Sequence, residues 1–320
     1  MQKDATILVA GSNGLVGSAV CRSLESKGYT NILKPRSKEI NLIDQAATEA
    51  YFEKNRPDHV FMAAAKVGGI NANNIYRADF IYENLSIASN VIHSSYKTGV
   101  KSLLFYGSSC IYPKHADQPM QEGALLTGEL EPTNRPYALA KIAGIELCDS
   151  YNRQYGTDFR TIMPTNVYGI GDNFHLENSH VLPALVRKFH MAKDSGSQEV
   201  TLWGSGKPRR EFIYADDLAD AAVFIMNIDK EQLAAKSKHP HINVGCGEDI
   251  SIMDLAVMIK DIVGFQGEIV WDSSMPDGTM RKLLDVSTLD DLGWKYTTEI
   301  KTGIEQTYSW FLDNQEQLRT

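Results

Sequence analysis

The chain has 320 residues, a net charge of −8, 43% hydrophobic residues and 22% charged residues. This composition is that of a globular protein with a buried core in one large or two coupled domains. The acidic balance argues against a nucleic-acid binder, which needs a concentrated basic face, and no apolar run approaches the length of a membrane span. The opening apolar run, residues 5–10, is too short for a signal peptide. We therefore expect a cytoplasmic protein.

The four cysteines lie far apart, without a Cys-x-x-Cys pair or a histidine at zinc spacing. We therefore expect no metal site, and no disulfide framework in a chain of this size. Cys21 and Cys148 fall on helical patterns and are predicted to be small core residues.

Short apolar runs alternate with longer amphipathic runs through the first half of the chain. Strands are predicted at residues 6–10, 31–34, 59–63, 102–106 and 160–163. Helices are predicted between them, at residues 15–27, 45–55, 78–98 and 137–155. Such alternation is typical of βαβ units, which form a parallel sheet with helices on both faces.

After residue 165 the pattern becomes less regular. Helices are predicted at residues 180–193, 216–226 and 252–263, and strands at 201–203 and 242–244. We expect residues 1–165 to form the first domain, rejoined by about 212–245. Residues 166–320 are expected to form a smaller, discontinuous α/β substrate-binding lobe.

A glycine-rich segment directly follows the first strand and opens the first helix. It consists of Gly11, Ser12, Asn13, Gly14, Leu15, Val16 and Gly17. Glycines permit a tight turn and close backbone approach, while a helix N-terminus offers free N–H groups to a pyrophosphate. The spacing is one residue off the commoner dinucleotide fingerprint, but the surrounding strand and helix support it. We therefore predict a Rossmann-type doubly wound sheet that binds a dinucleotide in residues 1–165.

The second strand ends in Lys34-Pro35-Arg36, where an acidic residue would hold the ribose hydroxyl of NAD. The cation of Arg36 instead suits a 2′-phosphate, which favours NADPH/NADP as the cofactor. Asn41 and Leu42 would contact the adenine edge. The small residues Ala63, Ala64 and Ala65 follow the third strand and let the backbone pass close to the cofactor.

Tyr137 and Lys141 lie four residues apart on a predicted helix, so their side chains share one face. A nearby ammonium favours the phenolate, and we expect Lys141 to lower the pKa of Tyr137. Ser108 follows the fourth strand, at the sheet edge where ligands bind, and can hydrogen-bond a substrate carbonyl. This Ser–Tyr–Lys arrangement resembles the short-chain dehydrogenase/reductase family, in its extended, nucleotide-sugar-modifying branch.

Further motifs over nearly the whole chain resemble the GDP-L-fucose synthase family within that branch. They are Ala63-Ala-Ala-Lys-Val-Gly-Gly-Ile70, Gly107-Ser-Ser-Cys-Ile-Tyr-Pro113, Glu131-Pro-Thr-Asn134, Met163-Pro-Thr-Asn166, Asp172-Asn-Phe-His175, Asn178-Ser-His-Val181, Trp203-Gly-Ser-Gly206, Arg210-Glu-Phe212, Pro276-Asp-Gly278 and Arg281-Lys-Leu-Leu-Asp285. The resemblance implies a bifunctional enzyme that epimerises GDP-4-keto-6-deoxy-D-mannose at C3 and C5 and then reduces its 4-keto group with NADPH. It also implies a homodimer joined through a helix pair that includes residues 137–155.

The same resemblance assigns roles to individual residues. It implies Cys110 as the base and His180 as the acid of the epimerisation, with Tyr137 as the proton donor of the reduction. Further cofactor contacts are implied at Tyr106, Gly107, Ser108, Ser109, Lys141, Pro164, Thr165, Asn166, Val167 and His180. Substrate contacts are implied at Ser108, Ser109, Cys110, Asn166, Lys188, Trp203, Arg210 and Asp277.

Two other kinds of function stay open at this point. One is an NAD-dependent nucleotide-sugar 4-epimerase or 4,6-dehydratase, although a dehydratase favours Thr-Asp-Glu where this chain has Ser108-Ser-Cys110. The other is a non-catalytic NADP-sensing protein, which commonly lacks the Tyr/Lys pair that this chain keeps.

Overall fold

The structure is a computed structural model that describes residues 1–175, 179–275 and 277–317. Asn178 and Pro276, which belong to two of the motifs above, lie outside the described residues. The strands are β1 Ile7–Ala10, β2 Ile32–Leu33, β3 His59–Met62, β4 Ser102–Tyr106, β5 Phe159–Pro164, β6 Asn166–Tyr168, β7 Glu199–Trp203, β8 Arg209–Arg210, β9 Phe212–Tyr214, β10 Ile242–Val244, β11 Ile250–Ser251, β12 Glu268–Asp272 and β13 Arg281–Lys282. The helices are α1 Leu15–Ser26, α2 Gln45–Asn55, α3 Ile70–Ile75, α4 Arg77–Lys97, α5 Arg135–Tyr155, α6 Val181–Asp194, α7 Ala215–Asn227, α8 Lys230–Lys236, α9 Ile252–Val263, α10 Ser287–Asp291 and α11 Ile300–Asp313.

The central sheet has six parallel strands in the order β2-β1-β3-β4-β5-β10. The direction of the strand order reverses between β1 and β3, and the glycine-rich segment follows β1 at this point. Ligands of open α/β sheets bind outside the carboxyl ends of the strands at such a reversal. The predicted Rossmann-type architecture is confirmed, and the pairing of β10 with β5 brings residues 242–244 back to the first sheet.

Helices cover both faces of the sheet, so side chains that point alternately to opposite sides of a strand are buried on both. Ile7 and Val9 pack into the core formed with α1 and α7. Leu8 packs into the opposite core, which includes α2, α4 and α5. Each fully buried side chain of this kind contributes about 1.5–3 kcal/mol to the free energy of unfolding.

Helix α5 approaches the sheet closely enough to place its side chains at the end of β4. A Cβ on Gly144 would lie 2.3 Å from the Phe105 ring, so only glycine permits this packing. The helix begins with Pro136 in its first turn and ends at Gly156, whose φ of 71° suits a glycine. One turn before Gly144, Lys141 consequently reaches the carboxyl end of β4.

Helices α6, α9 and α11 and the strands around them form a smaller lobe with its own core. A three-stranded sheet orders β11-β8-β13, and two-stranded pairs join β12 to β7 and β6 to β9. The sequence pattern predicts α6 and α9 but misses α11, β6 and β9.

Every helix in the described part of the chain is too short or too polar to span a lipid bilayer.

Candidate active site

The glycine-rich turn is packed too tightly for side chains at two of its positions. Gly11 has a φ of +84°, and a Cβ there would lie 2.6 Å from the backbone nitrogen of Ala64. A Cβ on Gly17 would lie 2.1 Å from the carbonyl oxygen of Gly11. Gly14 precedes α1 and provides no side-chain cap, so the first N–H groups of the helix stay available to an anionic ligand.

The predicted 2′-phosphate residue lies beside this turn. The hydroxyl of Ser12 donates to the carbonyl oxygen of Pro35 at 3.4 Å and ties the two segments together. Lys34 is paired with Glu25, whereas Arg36 is exposed and forms no ion pair with any described carboxylate. Arg36 is therefore the cation of this segment that remains free to meet a phosphate.

The structure also fixes the predicted adenine and backbone contacts. Asn90 of α4 donates to the carbonyl oxygens of Leu42 and Ile43, at 2.9 and 3.0 Å, and holds that loop in place. Asn41 uses its own side-chain oxygen to accept from the backbone of Ile43 at 3.2 Å. Ala64 is in contact distance of Gly11, as the expected close backbone approach requires.

Ser108 lies at the centre of the predicted chemical group. The residue precedes a short 3-10 helix, Ser109–Ile111, and its hydroxyl accepts from the backbone N–H of Cys110 at 3.5 Å. Burial raises the pKa values of Tyr137 and of the Cys110 thiol, and a hydrogen bond of each with Ser108 acts against that rise. The structure therefore brings the three side chains together, across 29 positions of sequence between Ser108 and Tyr137.

Burial controls the ionisation of Tyr137 and Lys141. It raises the pKa of Tyr137 above its ordinary value and lowers the pKa of Lys141 to about 8. The ammonium of Lys141 donates to the carbonyl oxygen of Tyr106 at 2.7 Å. Desolvation of the phenolate is the largest effect on the pKa of Tyr137, and it acts against the lowering that we expect from Lys141.

Two lysines oppose the effect of burial on Cys110. The thiol is 9% exposed, and burial raises its pKa. The charges of Lys282 and Lys141, together with Ser108, lower it. A base must be populated as thiolate, so these cations are the part of the site that favours the reactive form.

The predicted substrate residues of the smaller lobe lie in one connected region. The ammonium of Lys188 on α6 lies 5.8 Å from the ring centroid of Trp203, at the end of β7. The carboxylate of Asp277 accepts from the backbone N–H and the hydroxyl of Ser205, at 2.6 and 2.8 Å. Asp277 therefore fixes the turn that follows Trp203, while the exposed indole stays available for a ligand.

Arg210 and Lys282 form a basic pair that connects this region to Cys110. Strand β13 pairs with β8 so that Lys282 lies opposite Arg210. Burial lowers the pKa of both, and the positive charge of Arg210 lowers that of Lys282 further. Like charges held together at a partly buried place are the arrangement that binds an anion such as a diphosphate.

His180 directly precedes α6, the helix that carries Lys188. The residue is exposed to solvent, yet the surrounding protein desolvates its imidazole and lowers its pKa. Its predicted role as the acid opposite Cys110 stays a prediction.

Within the described part of the chain, no group of three or more His, Cys, Asp or Glu side chains could hold a metal ion.

The model of the NAD dependent epimerase/dehydratase family matches residues 7–245, three quarters of the chain. The chain belongs to this family.

Relatives with named activities cover almost the whole chain. GDP-L-fucose synthase 1 of Arabidopsis thaliana is 54% identical over 98% of this chain and 94% of its own length. The GDP-L-fucose synthase of Escherichia coli is 52% identical over 98% of both chains. A solved structure of a GDP-L-fucose synthetase from Naegleria fowleri bound to NADP is 31% identical, with a TM-score of 0.91 over 100% of this chain and 98% of that chain.

A nicotinamide dinucleotide fits the residues present, as it should in a member of the epimerase/dehydratase family. The close-packed turn of Gly11 and Gly17, the uncapped N-terminus of α1 and the free cation of Arg36 lie together at the strand-order reversal. The protein uses a nicotinamide cofactor, and when bound this group supplies hydride.

Sequence reasoning missed Lys282 and Glu211. Both belong to motifs that carry the family resemblance, but the sequence predicts no role for either. The available signal for Lys282 was its place before two apolar residues, Leu283 and Leu284, which are buried in the structure. Glu211 stands between a basic pair and a buried strand, and its complete burial depends on contacts that no sequence pattern shows.

Proposed function

We propose that this protein is a bifunctional epimerase and reductase that converts GDP-4-keto-6-deoxy-D-mannose to GDP-L-fucose. Epimerisation at C3 and C5 precedes reduction of the 4-keto group, and the cofactor is NADPH. The proposal is supported by relatives of that name at 52 and 54% identity over 98% of the chain. The observation that carries it is the buried thiol of Cys110 beside Ser108, in the same site as Tyr137 and Lys141.

The substrate explains why a thiol belongs beside a reductase site. A carbonyl acidifies the C–H bonds on both sides, so C3 and C5 can each lose a proton to form an enolate. Cys110 takes this proton as thiolate, helped by the charges of Lys282 and Lys141. His180 returns a proton to the opposite face of the carbon, which inverts its configuration.

The reduction uses the other half of the site. The turn of Gly11 and Gly17 and the N-terminus of α1 would hold the dinucleotide, which would supply hydride for the 4-carbonyl carbon, so the carbonyl oxygen is where negative charge must be met. Tyr137 donates its phenolic proton to that oxygen, and Ser108 donates a hydrogen bond that holds it. The raised pKa of Tyr137 keeps it protonated and therefore ready as the donor. Lys141 binds the nicotinamide ribose with the ammonium that Tyr106 holds at the end of β4.

The smaller lobe recognises the GDP part of the substrate. The diphosphate lies between Arg210 and Lys282, because two adjacent cations compensate its charge. Lys188 and Trp203 bind the nucleoside side, where an exposed indole face can stack on a base. Asp277 contributes by fixing the turn after Trp203.

The decisive experiment is to mix the purified protein with NADPH and GDP-4-keto-6-deoxy-D-mannose. We expect cofactor oxidation and a product with the L-fuco configuration. A product of unchanged configuration at C3 and C5 would reduce the function to that of a 4-reductase. Absence of oxidation by folded protein that binds NADPH would refute the proposal and leave the NADP-sensing alternative.

We further propose that two copies associate through α4 and α5. These helices pack against each other and carry exposed apolar side chains on their outer surface, namely Tyr82, Leu139 and Tyr155, which are 65, 39 and 47% exposed. A second copy covers this face by the same helix pair, as twofold symmetry requires.

A further inference from the structure

Glu211 is a fully buried carboxylate between the two lobes of the site, with 0% exposure. One of its oxygens accepts from the backbone N–H groups of Cys246 and Gly247, at 2.7 and 2.8 Å. The other accepts from the backbone N–H of Leu284 at 3.0 Å. Burial raises the pKa of this carboxyl, and the backbone donors act against that rise. Every one of these partners is a donor, so the geometry suits two carboxylate oxygens rather than an amide.

The backbone of Glu211 is also bonded to both lobes. Its carbonyl oxygen accepts from the side chains of Asn166 and Thr165, at 2.7 and 3.2 Å. Its N–H donates to the carbonyl oxygen of Lys282 at 3.3 Å. A single residue therefore contacts the segment after β5, the turn after β10 and the strand that carries Lys282.

The arrangement also requires a glycine. A Cβ on Gly245 would lie 2.1 Å from the carboxylate oxygen of Glu211 that receives two N–H groups. Gly245 is not in the left-handed region, so backbone conformation does not explain this glycine. Its role is to leave room for the carboxylate.

We propose that Glu211 is a positioning residue, which holds Arg210 and Lys282 in register with Thr165 and Asn166. Arg210 precedes Glu211 in the chain, and Lys282 lies opposite Arg210. Loss of the carboxylate frees β8 and β13 to shift against the end of β5. Glu211 thereby sets the distance between the diphosphate-binding cations and the nicotinamide end of the site, an inference that rests on the proposed function.

The test compares Glu211→Gln with Gly245→Ala and a matched control. In Glu211→Gln, the amide places N–H donors against backbone N–H donors. In Gly245→Ala, the added methyl displaces the Glu211 carboxylate without removing its charge. The control is Asp217→Asn. Asp217 is 5% exposed and also accepts from backbone donors, Thr297 and Thr298 at 3.0 and 3.1 Å, but it joins α7 to the segment that precedes α11.

We expect both site variants to raise the dissociation constant of GDP at least about tenfold, measured by calorimetry. Their kcat should fall by about 10²-fold, because a misplacement of about 1 Å has that cost. Affinity for NADP⁺ should change less than threefold, since the glycine turn and Arg36 are remote. Asp217→Asn should lower the melting temperature while leaving GDP affinity and kcat unchanged.

Unchanged GDP affinity in folded Glu211→Gln protein overturns the inference, and so does equal loss of affinity in Asp217→Asn. If Glu211→Gln does not fold, Gly245→Ala decides in the same way. Failure of the wild-type protein to bind GDP would instead count against the proposed function. The two failures are therefore distinguishable.

Discussion

Burial, more than the neighbouring charge, controls the proton affinity of the residues that we assign to the chemistry. It raises the pKa of Tyr137 and of Cys110 and lowers that of Lys141. For Tyr137 this effect serves the function, because a proton donor must stay protonated. For Cys110 it opposes the function, and the charges of Lys282 and Lys141 act against it. The site thus keeps one group as an acid and supports another as a base.

The substitution Cys110→Ser separates the two reactions. An alkoxide is a far less accessible base than a thiolate, so exchange of the substrate protons beside the carbonyl with solvent deuterium should fall about 10²–10⁴-fold. Binding of NADPH should stay within twofold of wild type, because Cys110 belongs to the substrate half. Unchanged deuterium incorporation, measured by NMR, would remove Cys110 as the base.

Tyr137→Phe should have the opposite effect. Without the phenolic proton donor, oxidation of NADPH should slow about 10²–10⁴-fold, while deuterium incorporation into the substrate remains detectable. The two rates are measured on the same preparation, by absorbance and by NMR. Parallel loss of both rates would show that the division of roles between Tyr137 and Cys110 is wrong.

Arg36→Ala tests the cofactor assignment. Removal of the exposed guanidinium should weaken NADPH binding about 10–100-fold, the effect of one or two charge-assisted hydrogen bonds, and leave NADH binding unchanged. Lys38→Ala is the matched control, since Lys38 is exposed two residues away. A fluorescence titration with both cofactors decides the matter. Equal weakening for NADPH and NADH would contradict a 2′-phosphate contact.

At the scale of elements, close backbone approach places the site residues. Helix α1 starts against the glycine turn, and α5 packs on β4 through Gly144. The sequence predicts these elements well: β4, α2, α9 and β10 have the predicted bounds, and α1, α4 and α5 differ by one or two residues at their ends. Strong periodicity and clear end signals explain this agreement. The sequence pattern misses α11, because the apolar face of this helix becomes evident only where it packs against α9 and Phe174.

Two glycine variants distinguish packing from ligand approach in α1. Gly17→Ala should lower the free energy of unfolding by about 3 kcal/mol, because its methyl meets the backbone of Gly11. Gly14→Ala should cost no more than about 1 kcal/mol, since the nearest atom is 3.5 Å from the added Cβ. It should still weaken NADP⁺ binding, because the methyl lies at the free N-terminus of α1. Urea titrations and calorimetry measure the two quantities, and equal stability loss would contradict this view.

At the scale of the whole molecule, the site exists only where the lobes meet. Ser108, Cys110 and Tyr137 come from the six-stranded sheet and its helices, and Arg210 and Lys282 come from the three-stranded sheet. Glu211 joins the two parts through its backbone and its carboxylate. The cofactor site and the sugar-nucleotide site that we propose thereby lie on separate scaffolds, as is common for sites at domain junctions.

Association through α4 and α5 is tested by Tyr82→Asp. A charge within the proposed apolar interface should convert the dimer to a monomer, observed by sedimentation at micromolar concentration. Leu312→Asp is the control, because Leu312 is 43% exposed on α11 in the other lobe. A wild-type protein that sediments as a monomer would refute the proposed interface.

The sequence by itself determined the α/β class, the glycine turn, the Tyr137–Lys141 pair and the family resemblance, because local periodicity and short motifs carry that information. Only the tertiary structure decided the strand order, the direction of the pKa changes and the contacts of Lys282 and Glu211. These depend on desolvation and on pairings between distant segments, such as Lys282 opposite Arg210 and Leu284 on Glu211. Neither desolvation nor the register between distant strands produces a periodic pattern in the sequence of one chain.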